Sequence, residues 1–182
     1  MRSPCARAWH MPPFEMSQSA RAASAVEARF RIDAPNSRPR AVKVIALDRP
    51  SERVVNRLAQ MSWTNASFFT AIASLPRTGA PFSVESWLKD LAGHAKNLVD
   101  EVDSADLVVM VATGGEDAQA ASLIGEACSL KRVMTTALVV GTESVSDAAL
   151  SQTLALLRPW ALMVVIASAE EYIADMLAAL RA

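Results

Sequence analysis

The side chains able to do chemistry in this sequence are few and widely separated. Cys5, Cys128, His10 and His94 are its only thiols and imidazoles, and Gly114-Gly115 is its only adjacent glycine pair. Structural zinc needs four such ligands at close spacing; these four never approach it, so no metal is expected. Cys128 has Glu126 and Lys131 as charged neighbours, and a nearby charge can shift a thiol's pKa. A free cysteine is nevertheless usually buried, and Ala121, Gly125 and Ser129, small and four apart, point to close packing against a sheet. His94 lies among Lys89, Asp90, Lys96, Asp100, Glu101 and Asp103 without a partner that would make it a general base. The hydrolase elbow G-x-S-x-G is absent. Gly114-Gly115 is the most suggestive feature, because a glycine turn between strand and helix exposes backbone N–H groups that can cradle a phosphate. It matches neither G-x-G-x-x-G nor the loop ending in Gly-Lys-Ser/Thr. Glu116 and Asp117 occupy the expected first helical turn, where they answer the positive helix end and repel a second anion. A ribose or base edge fits there better than a bare phosphate.

Such residues need a scaffold, and the hydrophobic pattern supplies one. Five β-rich runs, 41–48, 67–74, 106–113, 133–141 and 161–168, alternate with helical patterns at 51–61, 83–104, 116–131, 146–158 and 169–181. Leu107-Val108-Val109-Met110-Val111 and Leu162-Met163-Val164-Val165-Ile166 are continuously apolar, as strands covered on both faces of a parallel sheet must be. Right-handed crossovers then give a three-layer, doubly wound, Rossmann-like α/β sandwich with about five parallel strands. The order expected is 2-1-3-4-5, with 3-2-1-4-5 the alternative. Pro50 and Pro81 precede two of the helices, Pro159 ends the fourth, and 83–86 and Ser146-Asp147 offer capping oxygens. Gly93 is expected to bend the long second helix.

Ligands of open parallel sheets bind beyond the carboxyl ends of the strands. That rule selects Asp48 and Arg49 after the first strand, Ser74 after the second, Thr113, Gly114 and Gly115 after the third, Gly141, Thr142 and Glu143 after the fourth, and Ser168 after the fifth. Asp48, Thr113, Gly114, Gly115, Thr142 and Glu143 form the candidate ligand site. Each also reads as ordinary turn or cap chemistry. A receiver domain would need an acidic pair, an Asp and a Lys where Asp48, Thr113 and Ser168 stand, and a flavodoxin would need a phosphate loop where Asp48-Arg49-Pro50-Ser51-Glu52 stands.

The run Ala105-Asp106-Leu107-Val108-Val109-Met110-Val111-Ala112-Thr113-Gly114-Gly115, followed by residues 118–129 and 133–140, resembles the central nucleotide-loop region of the tubulin/FtsZ GTPases over about a fifth of the chain. The resemblance implies a Rossmann-like domain whose glycine-rich loop holds guanine-nucleotide phosphates. The family's longer glycine and threonine loop is reduced here to Thr113-Gly114-Gly115, and no second domain is expected to supply a hydrolysis-promoting loop. Nucleotide contact at Gly114 and Gly115 therefore carries over, and GTPase activity does not.

The 182 residues suit one domain, and 52% hydrophobic residues with 20% charged ones exclude overall disorder. No apolar run is long enough for a membrane span. Residues 1–40 hold seven Arg against three acids and read as an Arg-rich arm, while 41–182 hold eleven Lys or Arg against sixteen acids. A folded part with a net of −5 and no basic stripe argues against DNA or RNA as partner. Two dispersed cysteines suit a reducing cytoplasm. Aromatic residues near the second strand (Trp63, Phe68, Phe69, Phe82, Trp87) and the apolar excess lead to the expectation of a homodimer. Two functions are expected in order: binding of a nucleotide-like small molecule at the strand ends without assigned catalysis or a named cofactor, and protein interaction with no small-molecule ligand.

Overall fold

Because residues 107–112 and 135–140 contain no charge, both faces of the strands they form can be covered, and the fold is built around them. The computed structural model describes residues 39–71, 87–167, 171–180 and 182, all within the unit Arg38–Ala182. Nearly all of the Arg-rich arm, the strand end at Ser74, the helix start at 83–86 and Ser168 lie outside the described residues.

The strands are β1 (Val42–Ala46), β2 (Ala66–Ala71), β3 (Trp87–Asp90), β4 (Ala95–Asn97), β5 (Leu107–Thr113), β6 (Met134–Val140) and β7 (Met163–Ile166). The helices are α1 (Arg49–Leu58), α2 (Leu98–Asp103), α3 (Ala120–Lys131), α4 (Asp147–Leu157) and α5 (Glu171–Ala179). One sheet runs β4-β3-β2-β1-β5-β6-β7. The pairings β2–β1, β1–β5, β5–β6 and β6–β7 are parallel, whereas β2–β3 and β3–β4 are antiparallel. Among the described residues the sheet therefore has seven strands rather than about five: its order departs from 2-1-3-4-5 by an antiparallel pair added outside β2, and from 3-2-1-4-5 also in placing Leu107–Thr113 beside β1 instead of outside β2.

That pair corrects the expected helix over 83–104. Leu88, Leu91, Ala95, Leu98 and Val102 have helical spacing, but local turn chemistry prevails between 90 and 94. Asp90 accepts the His94 N–H at 2.8 Å, its carbonyl accepts the Gly93 N–H, and Gly93 sits at φ +89, where only glycine is unstrained. Only α2 of the expected helix survives here, started by the Asn97 side-chain Oδ1 accepting from the Val99 N–H. Gly93 turns a hairpin and bends no helix.

Alternation along each strand sorts the core into two layers. Ile45, Val108, Met110, Ala137 and Val139 pack with Leu98 and Val102 of α2, Ile124 and Cys128 of α3, and Leu157 of α4. Val42, Val44, Val109, Val111 and Leu138 pack on the other face with Val54, Val55 and Leu58 of α1 and Ile173 and Leu177 of α5. Each Val, Leu, Ile or Met among them contributes roughly 1.5–3 kcal/mol when fully buried. On α3, Gly125 makes room for Trp160: an added Cβ would meet the Trp160 Cβ at 2.5 Å. The small-residue row thus admits an indole from beyond α4. Trp63 donates its Nε1–H to the Leu58 carbonyl and lies 6.1 Å from Phe68, ring centre to ring centre.

Candidate functional site

The strand order reverses direction between β1 and β5, which is where an open parallel sheet presents its crevice. Asp48 stands at the end of β1 and caps α1: its Oδ1 accepts the Ser51 N–H at 2.7 Å, and the Ser51 hydroxyl oxygen accepts the Asp48 N–H in return. Pro50 suits this helix start, since its missing N–H would have had no helical partner there. The same carboxylate reaches across the switch point. Thr113 at the end of β5 donates its N–H to Oδ2 at 2.7 Å and its hydroxyl to Oδ1 at 2.9 Å. Asp48 thus receives three donors and ties the two strand ends together, both residues being half-buried.

The glycine loop that follows is satisfied from within. Gly114 donates its N–H to the Val140 carbonyl at 2.9 Å, Gly115 to the Thr153 hydroxyl at 3.0 Å, and Glu116 to the Thr113 carbonyl at 3.1 Å. Together with Thr113, four consecutive N–H groups have partners in the protein. Thr153 passes its own hydroxyl hydrogen to the Glu116 carbonyl at 3.1 Å. Gly115 needs its glycine, at φ +82 and with Val145 3.1 Å from where a Cβ would stand; a Cβ on Gly114 would lie 3.3 Å from Thr142. The loop is packed against the segment after β6, and Gly114 is buried. α3 begins at Ala120, so Glu116 and Asp117 precede the helix instead of forming its first turn, and Asp117 accepts the Gln119 N–H.

The structure therefore brings Asp48, Thr113, Gly114 and Thr142 together at the carboxyl edge, with Gly115 and Glu143 exposed at its rim. Ser74 and Ser168 lie outside the described residues. Sequence reasoning missed Ser51 and Thr153, both buried. The signal for Thr153 was a β-branched hydroxyl within the Ala- and Leu-rich stretch of α4.

Away from this edge, a shallow open cavity of 370 Å3 beside the β3–β4 turn is lined by Ser67, Phe68, Phe69, Asp90, Leu91, Ala92, Lys96 and Glu101. Its charges are largely engaged: Lys43 bridges to Glu101 at 2.9 Å while lying 5.7 Å from the Phe69 ring centre, and His94 Nδ1 lies 3.2 Å from Asp90. The His94 backbone hydrogen bond holds the Asp90 carboxyl below its usual range, aided by the imidazole. Burial pushes the Cys128 thiol up to about 12, the opposite of an activated nucleophile.

Among the described residues no group of three His, Cys, Asp or Glu is placed to hold a metal ion, and no helix is long and apolar enough to cross a membrane. No protein-family model and no curated protein matches the chain.

Proposed function

We propose that this chain is a Rossmann-like α/β domain that works as a protein-interaction module, its switch-point crevice closed by its own backbone and side-chain groups. The observation that carries this reading is the consumption of donors: the N–H groups of Thr113, Gly114, Gly115 and Glu116, which a phosphate-binding loop leaves for its ligand, are all hydrogen-bonded within the protein. An anion would have to displace four such bonds, leaving their present acceptors unpaired, and meet the Asp48 carboxylate; a group left unsatisfied in the interior costs about 1–3 kcal/mol.

A second reading keeps a nucleotide-like ligand at the same edge, contacting Asp48, Thr113, Gly114, Gly115, Thr142 and Glu143. The exposure of Gly115, Glu116 and Glu143 favours it, since a base or ribose edge could rest on the rim without entering the loop. A thermal-shift screen of nucleotides, flavins and nicotinamide cofactors separates the two, because a ligand that binds only the native state raises its apparent stability. The interaction reading expects no shift with any of them. A shift that Gly115→Asp abolishes would overturn it and place a ligand at the rim.

A further inference from the structure

Sheet edges are normally guarded, because unpaired backbone groups recruit other strands. The β4 edge is guarded: it carries Lys96, and Asp90 and His94, 3.2 Å apart, flank it. The β7 edge is not. From Pro159 to Ala167 the chain contains no charged residue, and Leu162 (79%), Ile166 (50%) and Met163 (44%) are exposed along it. Among the described residues β7 pairs only with β6, so its other edge carries backbone groups free to take a further strand.

Resting on the interaction reading, we infer that the partner at this edge is a second copy of the chain, its β7 antiparallel to the first about a two-fold axis through Val164. Ala167, just after β7, donates its N–H to the Val139 carbonyl on the β6 side, in the register that pairs Val139 with Ile166. Backbone direction alternates along a strand, so Met163 and Val165 also turn their peptide groups to β6, and those of Val164 and Ile166 point away from the sheet. A strand laid antiparallel on its own copy in one continuous sheet needs opposite residues to share a face, which fixes an even sum of residue numbers. Centring on Val164 meets this condition and lets the Val164 residues of the two copies exchange both hydrogen bonds. It also sets Leu162 opposite Ile166, two exposed apolar side chains equidistant from the centre. Self-pairing is electrostatically allowed here and unfavourable over most other faces: the domain from 41 carries a net −5, and the β7 strip is neutral. A specific interface needs roughly 1,000 Å2, more than a four-residue ladder buries, so the exposed Leu156 before β7 and Tyr172 after it extend the contact.

The test uses the full chain carrying Cys5→Ser, which leaves only buried Cys128 as native thiol. Light scattering should show a dimer, and Leu162→Lys, at a position the monomer leaves exposed, should weaken association by about tenfold or more while circular dichroism stays native. Val164→Cys should oxidise to a cross-linked dimer, whereas Leu162→Cys should cross-link only when mixed with Ile166→Cys. A wild-type monomer at all concentrations, or a dimer indifferent to Leu162→Lys, overturns the edge. Cross-linking of Leu162→Cys with itself overturns the register. A monomer that also binds no nucleotide sinks this inference alone, while a rim ligand in the thermal screen sinks the interaction reading whatever the oligomeric state.

Discussion

Asp48 does the work of three residues with one side chain: it caps α1, accepts the last N–H of β5 and orients the Thr113 hydroxyl. Asp48→Ala should lower the unfolding free energy by about 2–4 kcal/mol, combining a lost helix cap with donors left unpaired, as read by urea denaturation. Thr113→Val removes only the hydroxyl bond and should cost about 1 kcal/mol. Cys128 gives a prediction in pH. Its folded-state value lies near 12 against the usual 9.0, because burial penalises the thiolate. A raised value means the stabilising difference is whole below the unfolded pKa and is lost as pH climbs from there toward the folded one. Wild type should therefore lose stability between about pH 9 and 11 more steeply than Cys128→Ala, and a thiol reagent should label Cys128 only after unfolding.

The parallel strands and most helices were legible because their signals are local: unbroken apolar runs, Ser146 as a cap, Pro159 just beyond α4. The β3–β4 hairpin was not, because Leu88, Leu91, Ala95, Leu98 and Val102 satisfy a helical period while the competing signal, Asp90 with Gly93 three residues later, is a turn signature only four residues long. Half of the candidate site was readable in the same sense. Its place at the strand ends follows from topology, but the partners that close it, Val140 and Thr153, are 26 and 38 residues from the glycines they bind, and no local pattern announces them. At the hairpin, Gly93→Ala should cost about 1 kcal/mol from its positive φ, with faster amide exchange confined to residues near β3 and β4. The depressed Asp90 pKa has a sign as well: the turn is held above the ordinary carboxylate range and loosens as pH falls through the lowered value. The His94 amide resonance should report that titration at a pH below that of a free aspartate. On the opposite side of the sheet's midline, Gly125→Ala forces a methyl into Trp160 and should cost about 1–3 kcal/mol, measured as a lowered melting temperature.

At the scale of the whole molecule, the Asp48–Thr113 bridge joins residues 65 apart in the chain, and β1 is the strand that links the two halves of the sheet. β2 can find β1 early, but β1 stays open on its other side until residues 107–113 arrive and pair with it. The sheet is therefore closed out of chain order, across a long loop whose entropy must be given up before the contacts it brings are gained. The bridge is then a timing device as much as a clasp. Where its formation marks the crossing of the barrier, Asp48→Ala slows refolding by nearly the whole of its equilibrium effect and leaves unfolding almost unchanged. A chevron in which only the unfolding limb moves would mean that the two halves meet first through their apolar faces, and that Asp48 fastens a sheet already assembled.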